Sequence, residues 1–243
     1  MTGALVITGG SRGIGAACAR LGAQAGWPVC LGYRSDRQSA DALVDEIERD
    51  GGRAVAVQCD ISDEDDVVRL FDRAEAAFGP IAALINNAGI LAPAARLADM
   101  DLARWNATMA TNLTGTFLCA REAVRRMAAG GAIVNVSSMA AVLGAPDEFI
   151  DYAASKGGVD TLTVGLAKEV AGQGIRVNGV RPGLIDTAIH ASSGDPHRAQ
   201  RLASGVPMGR TGSPEEVART ILWLLSDEAS YCTGITVNVS GGR

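Results

Sequence analysis

The sequence predicts an α/β protein organised around a doubly wound parallel sheet. Three observations carry that prediction. Short apolar runs of strand length alternate with longer stretches of helical periodicity along the chain. The first run, Ala4 to Ile7, is continuously apolar, as expected of a strand buried on both faces. It leads directly into a glycine-rich turn, Thr8-Gly9-Gly10-Ser11-Arg12-Gly13-Ile14-Gly15, and then a helix of small residues. Over 243 residues there is no composition break, repeat or low-complexity tract, so one domain spanning 1–243 is expected.

Composition narrows the function classes. Hydrophobic residues at 47% can fill a sizeable core, and a net charge of −5 leaves no electrostatic footprint for nucleic acid or an anionic membrane. The five cysteines (Cys18, Cys30, Cys59, Cys119, Cys232) are scattered and read as small buried hydrophobes, not as a disulfide frame or a zinc site. His190 and His197 lie seven apart with no cluster of ligands around them, so no metal is expected. No apolar stretch approaches the ~20 residues that span a bilayer, and no signal peptide is read, which gives a soluble cytoplasmic protein as the expectation.

The first turn is an anion site in outline. Strand, glycine turn and helix N-terminus together present backbone N–H groups and a helix dipole to a pyrophosphate. The glycines are spaced GxxxGxG. Gly9 makes the turn, Gly13 lets the backbone approach phosphate, and Gly15 lets helix and strand pack closely. The second strand, 27–33, ends in Tyr33-Arg34, with Asp36 beyond it. An acidic residue at the strand end would hold the ribose hydroxyls of NAD, whereas an arginine suits a 2′-phosphate. Arg34 and Arg12 can converge on that phosphate, so NADP(H) is preferred, with NAD(H) possible.

A helix over 42–50 closes at Gly51-Gly52, and a third strand covers 54–59. Asp60-Ile61 at its carboxyl end is placed to bracket an adenine. Ser62 reads as the cap of the next helix, with acids in its first turn. Strand four, 81–85, runs into Asn86-Asn87-Ala88-Gly89, a turn where a ligand can lie against nearly bare backbone. A long helical pattern covers 102–127 and holds Asn112, a poor helix-interior residue unless it has a partner. Strand five, 132–136, ends in Ser137-Ser138.

The next helix, to about 171, carries Tyr152 and Lys156, one turn apart on one face. Alone, such a pair belongs on many helix surfaces. Close to one another, the ammonium should draw the phenol pKa down from ~10 and make a proton donor that works near neutral pH. Strand six, 175–180, stops at Arg181-Pro182-Gly183. From 186 to 210 periodicity weakens, as in a substrate-binding loop. Ser213-Pro214-Glu215-Glu216 opens the last helix, and 235–239 is the final strand.

These motifs, in this order, resemble the short-chain dehydrogenases/reductases in their compact single-domain branch, over essentially the whole chain. The wording of Tyr152-Ala153-Ala154-Ser155-Lys156 and Gly174-Ile175-Arg176-Val177-Asn178 is most similar to bacterial NADP-dependent reductases related to 3-oxoacyl-carrier-protein reductase and glucose dehydrogenase. The resemblance implies a Rossmann sheet of seven parallel strands in the order 3-2-1-4-5-6-7, with helices on both faces. It implies that Tyr152 exchanges a proton with the substrate oxygen, Ser138 hydrogen-bonds that oxygen, Lys156 tunes Tyr152 and holds the nicotinamide ribose, and Asn112 relays protons through a water. Ser138 is preferred to Ser137 by motif position.

The cofactor-binding set implied is Gly9, Ser11, Arg12, Gly13, Ile14, Gly15, Tyr33, Arg34, Asp60, Ile61, Asn87, Ala88, Gly89, Tyr152, Lys156, Pro182, Gly183, Ile185 and Thr187, with Asn86 also on the cofactor's flank. A homotetramer is implied too, packed through the Asn112 and Tyr152 helices and through the final strand region.

Two departures from the family pattern bear on substrate. The span from Ser138 to Tyr152 is one residue longer than the usual spacing, with the extra residue placed in 145–149. Its acids Asp147 and Glu148, with Asp151, either favour a hydroxylated or cationic substrate or form a solvated loop. The positions before strands five and six, where carrier-protein reductases are basic, hold 128–131 and 172–174 with no basic residue. The expected activity is therefore interconversion of a secondary alcohol and a carbonyl. Fatty-acid-type 3-oxoacyl-thioester reduction, nucleotide-sugar epimerisation or dehydration, and non-catalytic NADP(H) sensing are the alternatives.

Overall fold

A computed structural model describes residues 3–187 and 198–243. His190, His197 and part of the expected substrate loop lie outside the described residues. Seven parallel strands form one sheet: β1 Ala4–Ile7, β2 Pro28–Tyr33, β3 Arg53–Gln58, β4 Ile81–Asn86, β5 Ala132–Val136, β6 Arg176–Pro182 and β7 Thr236–Val239. Their order is β3-β2-β1-β4-β5-β6-β7, as expected. The central strand β1 is registered on both sides, Val6 against Cys30 of β2 and against Leu84 of β4.

The strands between helical layers read as continuous apolar runs because both faces are covered. Along β1, Leu5 and Ile7 join one core with Val29, Leu31, Ile221 and Leu224. Ala4 and Val6 join the other with Leu70, Phe71, Leu84 and Ile133. The first core lies under α1 (Gly13–Gln24), α2 (Arg37–Arg49) and the capped C-terminal helix Pro214–Leu225. The second lies under α3 (Glu64–Phe78), the 115–126 helix and the 150–170 helix. Cys18, Cys30, Cys59 and Cys119 are buried free thiols, and burial pushes Cys30 up to about 12, out of the reactive range. No described helix is long and apolar enough to cross a membrane.

Several helix limits differ from the expectation. α2 begins at Arg37, five residues early, because the Asp36 carboxylate accepts the Ser39 N–H and caps it. α3 is capped by Asp63, which accepts the Asp66 N–H, while the Ser62 hydroxyl turns back to Asp60. The long 102–127 pattern is broken: α4 (Leu102–Met109) passes through a π turn (Ala110–Thr114) into α5 (Gly115–Arg126). Asn112 sits at the centre of that turn. A short unexpected helix, α6 (Ala140–Leu143), follows β5. The Tyr152 helix is α7 (Ile150–Val170), then come α8 (Arg198–Leu202) and α9 (Pro214–Leu225). The sheet reverses direction of winding at β1, between β2 and β4. A crevice therefore opens at the carboxyl ends of those strands, which is where open α/β sheets bind ligands.

Candidate active site

The crevice is floored by two loops bonded together. The Thr8 hydroxyl accepts the N–H groups of Asn87 and Ala88, both at 3.0 Å, and the Asn87 amide donates to the carbonyls of Thr8 and Gly9, both at 2.9 Å. Glycine is obligatory here. Gly9 and Gly13 have φ of +62° and +55°, and a Cβ on Gly15 would stand 2.3 Å from the Gly9 carbonyl oxygen. Gly15 is therefore a packing residue; it does not line the cavity, whereas Gly9, Ser11, Arg12, Gly13 and Ile14 do. Arg12 stands at the N-cap position of α1 with no side chain capping the first turn, which leaves its N–H groups for an anion.

At the end of β2, Tyr33 and Arg34 line the same cavity with Asp60 and Ile61 from the end of β3. Arg34 and Asp60 are paired to each other at 3.1 Å. Burial opposes ionisation of Asp60, but the two Ser62 hydrogen bonds and Arg34 outweigh it and hold the carboxyl below the ordinary range. Asn87, Ala88 and Gly89 line the cleft, together with Pro182, Gly183, Ile185 and Thr187. Asn86 does not. It is buried within the sheet, where its amide donates to Asn135 Oδ1 at 2.9 Å and Asn135 donates on to Thr163. The first asparagine of the pair still obeys strand alternation; the second has left the strand.

At the other end of the cavity, Ser138, Tyr152 and Lys156 are brought together. The two serines divide their roles. The Ser137 hydroxyl is buried and donates to the Lys156 carbonyl at 3.2 Å, while Ser138 faces the cavity and hydrogen-bonds Tyr152. The Lys156 ammonium donates to the Val136 carbonyl at 2.8 Å and lies 5.8 Å from the centre of the Tyr152 ring. Burial pushes Tyr152 above its ordinary value, and the Ser138 bond only partly opposes this. The direction is opposite to the one expected from Lys156, whose charge is spent on Val136. Burial also pushes Lys156 down, to about 8, against the pull of Asp160.

Asn112 lies across Gly89 from Lys156; a Cβ on Gly89 would stand 3.3 Å from Asn112 Oδ1 and 3.5 Å from Lys156 Nζ. Its side chain accepts the Ile90 N–H (2.8 Å) and donates to the Ile90 carbonyl (3.0 Å) and to Ser155 (3.2 Å). The π turn thus gives a mid-helix asparagine its partners and clamps the loop after β4.

The whole cavity measures about 740 Å³ and runs without a break from Arg12, Tyr33 and Arg34 past the glycines to Tyr152. Its length, its floor of bare backbone and its arginines at the far end suit a dinucleotide phosphate. Among the described residues no cluster of metal-ligating side chains exists.

A family profile described as Enoyl-(Acyl carrier protein) reductase matches residues 9–243. The chain belongs to the short-chain dehydrogenase/reductase family. It is 52% identical to "Uncharacterized oxidoreductase YgfF" of Escherichia coli (strain K12) over 98% of each chain. It is 43% identical to "Cis-4-hydroxycyclohexanecarboxylate dehydrogenase" of Sinomonas cyclohexanicum, over 98% of this chain and 94% of that one. A short-chain dehydrogenase from Burkholderia cenocepacia J2315, solved in complex with NADP, superposes with a TM-score of 0.92 at 34% identity. That match covers 99% of this chain and 97% of that one. This member of the family is thus an oxidoreductase by kinship, on a Rossmann sheet.

The Tyr152 end of the cavity in this family member holds residues that sequence reasoning missed. Met139, Leu143, Phe149 and Arg198 line the cavity beyond Tyr152. The three acids of the lengthened loop region are each neutralised by an arginine distant in sequence. Asp151 is buried against Arg104, Asp147 pairs with Arg96 at 3.2 Å, and Glu148 pairs with Arg198. Paired in this way they leave no free carboxylate cluster for a cation, and of the three only Asp147 remains largely solvated, at 71% exposed. Partners 47 to 51 residues apart left no local signal.

Proposed function

We propose that this chain is an NADP(H)-dependent oxidoreductase that interconverts a secondary alcohol and a carbonyl. The convergence of Ser138, Tyr152 and Lys156 at one end of a cavity that continues along the glycine turn carries the reading. When bound, the nicotinamide supplies or accepts the hydride. Tyr152 gives its phenolic proton to the carbonyl oxygen in reduction and takes it back in oxidation. Its raised pKa keeps it protonated at neutral pH, which suits the reductive direction. Ser138 donates to the oxygen as charge grows on it. Lys156, desolvated and next to the ring, returns the proton to Tyr152 and holds the ribose. Asn112, beside Lys156 across Gly89, relays protons outward through a water and keeps the loop after β4 in place.

Arg12 and Arg34 would hold a 2′-phosphate, with Arg34 turning away from Asp60 to do so; Asp60 and Ile61 would flank adenine. NADP(H) is therefore preferred, with NAD(H) a weaker cofactor. We also propose one domain over 1–243, a cytoplasmic location and a homotetramer.

The family profile's printed description favours one second reading, reduction of an acyl thioester on a carrier. Against it, Arg126 at the end of α5 is spent on Asp72, Glu75 and Glu122 and offers no charge to an acidic carrier.

The test is a panel of ketones and alcohols followed at the nicotinamide absorbance, with Tyr152→Phe beside the parent. The variant should bind NADPH normally and lose about 10²- to 10⁴-fold in kcat. Turnover retained in Tyr152→Phe would remove the assignment, and a parent inert to the whole panel would favour the sensing role.

A further inference from the structure

Arg198 is built into the substrate end of the cavity in a way that the proton-transfer site does not explain. It opens α8 and lines the same cavity as Tyr152. Its side chain is only 11% exposed, and its guanidinium lies 5.2 Å from the centre of the Phe149 ring. One terminal nitrogen donates to Glu148, while Nε is buried with no hydrogen-bond partner. A buried donor without an acceptor is costly, and native interiors rarely leave one unless something else fills the role.

The two partners of this ion pair are unequal. Arg198 is fixed by burial and by the ring beneath it. Glu148 is 38% exposed and sits in the lengthened loop directly after Asp147, which like Ala145 before it is held at positive φ (62° and 43°). Non-glycine residues tolerate that region poorly, so the loop is held there by its contacts, of which the ion pair to Arg198 is one. The same cavity is lined by the apolar side chains of Met139, Leu143, Ala145 and Pro146, besides the Phe149 ring that Arg198 packs on. In an apolar wall, a fixed guanidinium with a spare donor and a movable carboxylate as its counterion is a carboxylate site held by a stand-in. An incoming carboxylate can replace that of Glu148 and use Nε together with a terminal nitrogen, the two-bond geometry arginine favours. The exchange leaves no charge unpaired, because Glu148 swings into water.

We infer that Arg198 is a specificity-determining residue and that the substrate is a ketone or secondary alcohol bearing a carboxylate remote from the reacting carbon. This rests on the reading of the site as a carbonyl reductase and narrows its substrate class. It reverses the charge preference suggested by the bare run Asp147-Glu148.

The experiment compares kcat/KM for 4-oxocyclohexanecarboxylate and for cyclohexanone, with NADPH, in the parent, Arg198→Gln and Glu148→Gln. The acid-to-neutral ratio should fall at least about tenfold in Arg198→Gln and rise in Glu148→Gln, where the competing carboxylate is gone. A ratio unmoved by Arg198→Gln overturns the inference. Because that variant could be lost to misfolding, the parent is also inhibited with cyclohexanecarboxylate and its carboxamide. The acid should be the better inhibitor by about tenfold or more, and equal potency overturns the inference. If neither ketone is reduced while others in the panel are, the cyclohexanone skeleton is the wrong one; if nothing in the panel is reduced, the carbonyl-reductase reading fails on its own. The carboxylate site is then judged by the thermal shift of the NADPH-loaded chain: cyclohexanecarboxylate raising the melting temperature more than its amide supports it, and no difference overturns it.

Discussion

Lys156 carries a conflict that the rest of the site is arranged to hold. Its ammonium is buried, has one carbonyl partner at 2.8 Å, and is pushed from an ordinary 10.5 to about 8. Between those values the unfolded chain binds a proton that the folded chain has lost. Stability therefore rises as pH climbs from about 8 towards 10.5, and the full cost is borne below 8. A depression of this size corresponds to roughly 3 kcal/mol. Lys156→Met should accordingly abolish turnover and yet raise the melting temperature at pH 7, with the gain shrinking at pH 10. A variant less stable than the parent at pH 7 would show that the bond to Val136 outweighs desolvation. At this scale the sequence was partly legible. The Tyr152–Lys156 spacing and Ser138 could be read from motif order, and the structure brings the three side chains to one end of one cavity. The upward direction of the tyrosine shift could not, since it depends on burial and on where the ammonium points.

The elements that aim these residues are tied together by a second arginine. Arg104 in α4 donates to both oxygens of Asp151, from Nε at 2.8 Å and from Nη2 at 3.2 Å, and its Nη1 donates to the Pro93 carbonyl at 2.6 Å. Thr108 adds a bond to the same carboxylate at 3.2 Å. Asp151 is one residue before Tyr152, and its side chain is 2% exposed. Burial works against its ionisation, yet the Arg104 and Thr108 contacts hold its carboxyl below the ordinary range. This contribution to stability is present above 3.8 and lost as pH falls through the depressed value. Arg104→Ala leaves a buried carboxylate without its partner. It should cost about 3 kcal/mol or more in urea unfolding at pH 7, and less in acid, where the buried carboxyl that has lost its arginine takes up a proton. An equal loss at both pH values would argue that Arg104 acts through packing alone.

Strands were the most legible elements, because sheet interiors leave continuous apolar runs. Helix starts were less so. The first turn of α2, Arg37-Gln38-Ser39, carries no apolar periodicity and is set by the Asp36 cap. The π turn at Asn112 is invisible to periodicity, because one extra residue per turn shifts the apolar face without ending it.

For the whole molecule, α7 raises the question of what covers it. One face packs on the sheet through Ala153, Val159, Ala167 and Val170. The opposite face is not the charged face of a surface helix. It presents Gly157, Thr161 and Gly165 at four-residue spacing, with open space over both glycines, and Val164 is exposed beside them. Phe117 on α5 is exposed as well. A helix without a distinct polar face is normally covered, and small residues at that spacing let a second helix approach closely. Trp223 of α9, together with Tyr231 and Ile235 ahead of β7, supplies a second exposed apolar region. Two such faces on one chain are what a closed four-subunit assembly with two kinds of two-fold interface requires. Light scattering should therefore give a mass about four times the 25.0 kDa of the chain. Val164→Glu should reduce it to a smaller species. The new carboxylate would be desolvated at the α7 face in the assembly, whereas in a free protomer Lys168, one turn on, gives it a partner in water. The far-UV spectrum should be unchanged, since the substitution touches no core residue. A parent that is monomeric at micromolar concentration, or a Val164→Glu variant that keeps the full mass, would mean that α7 is covered by something other than a copy of itself.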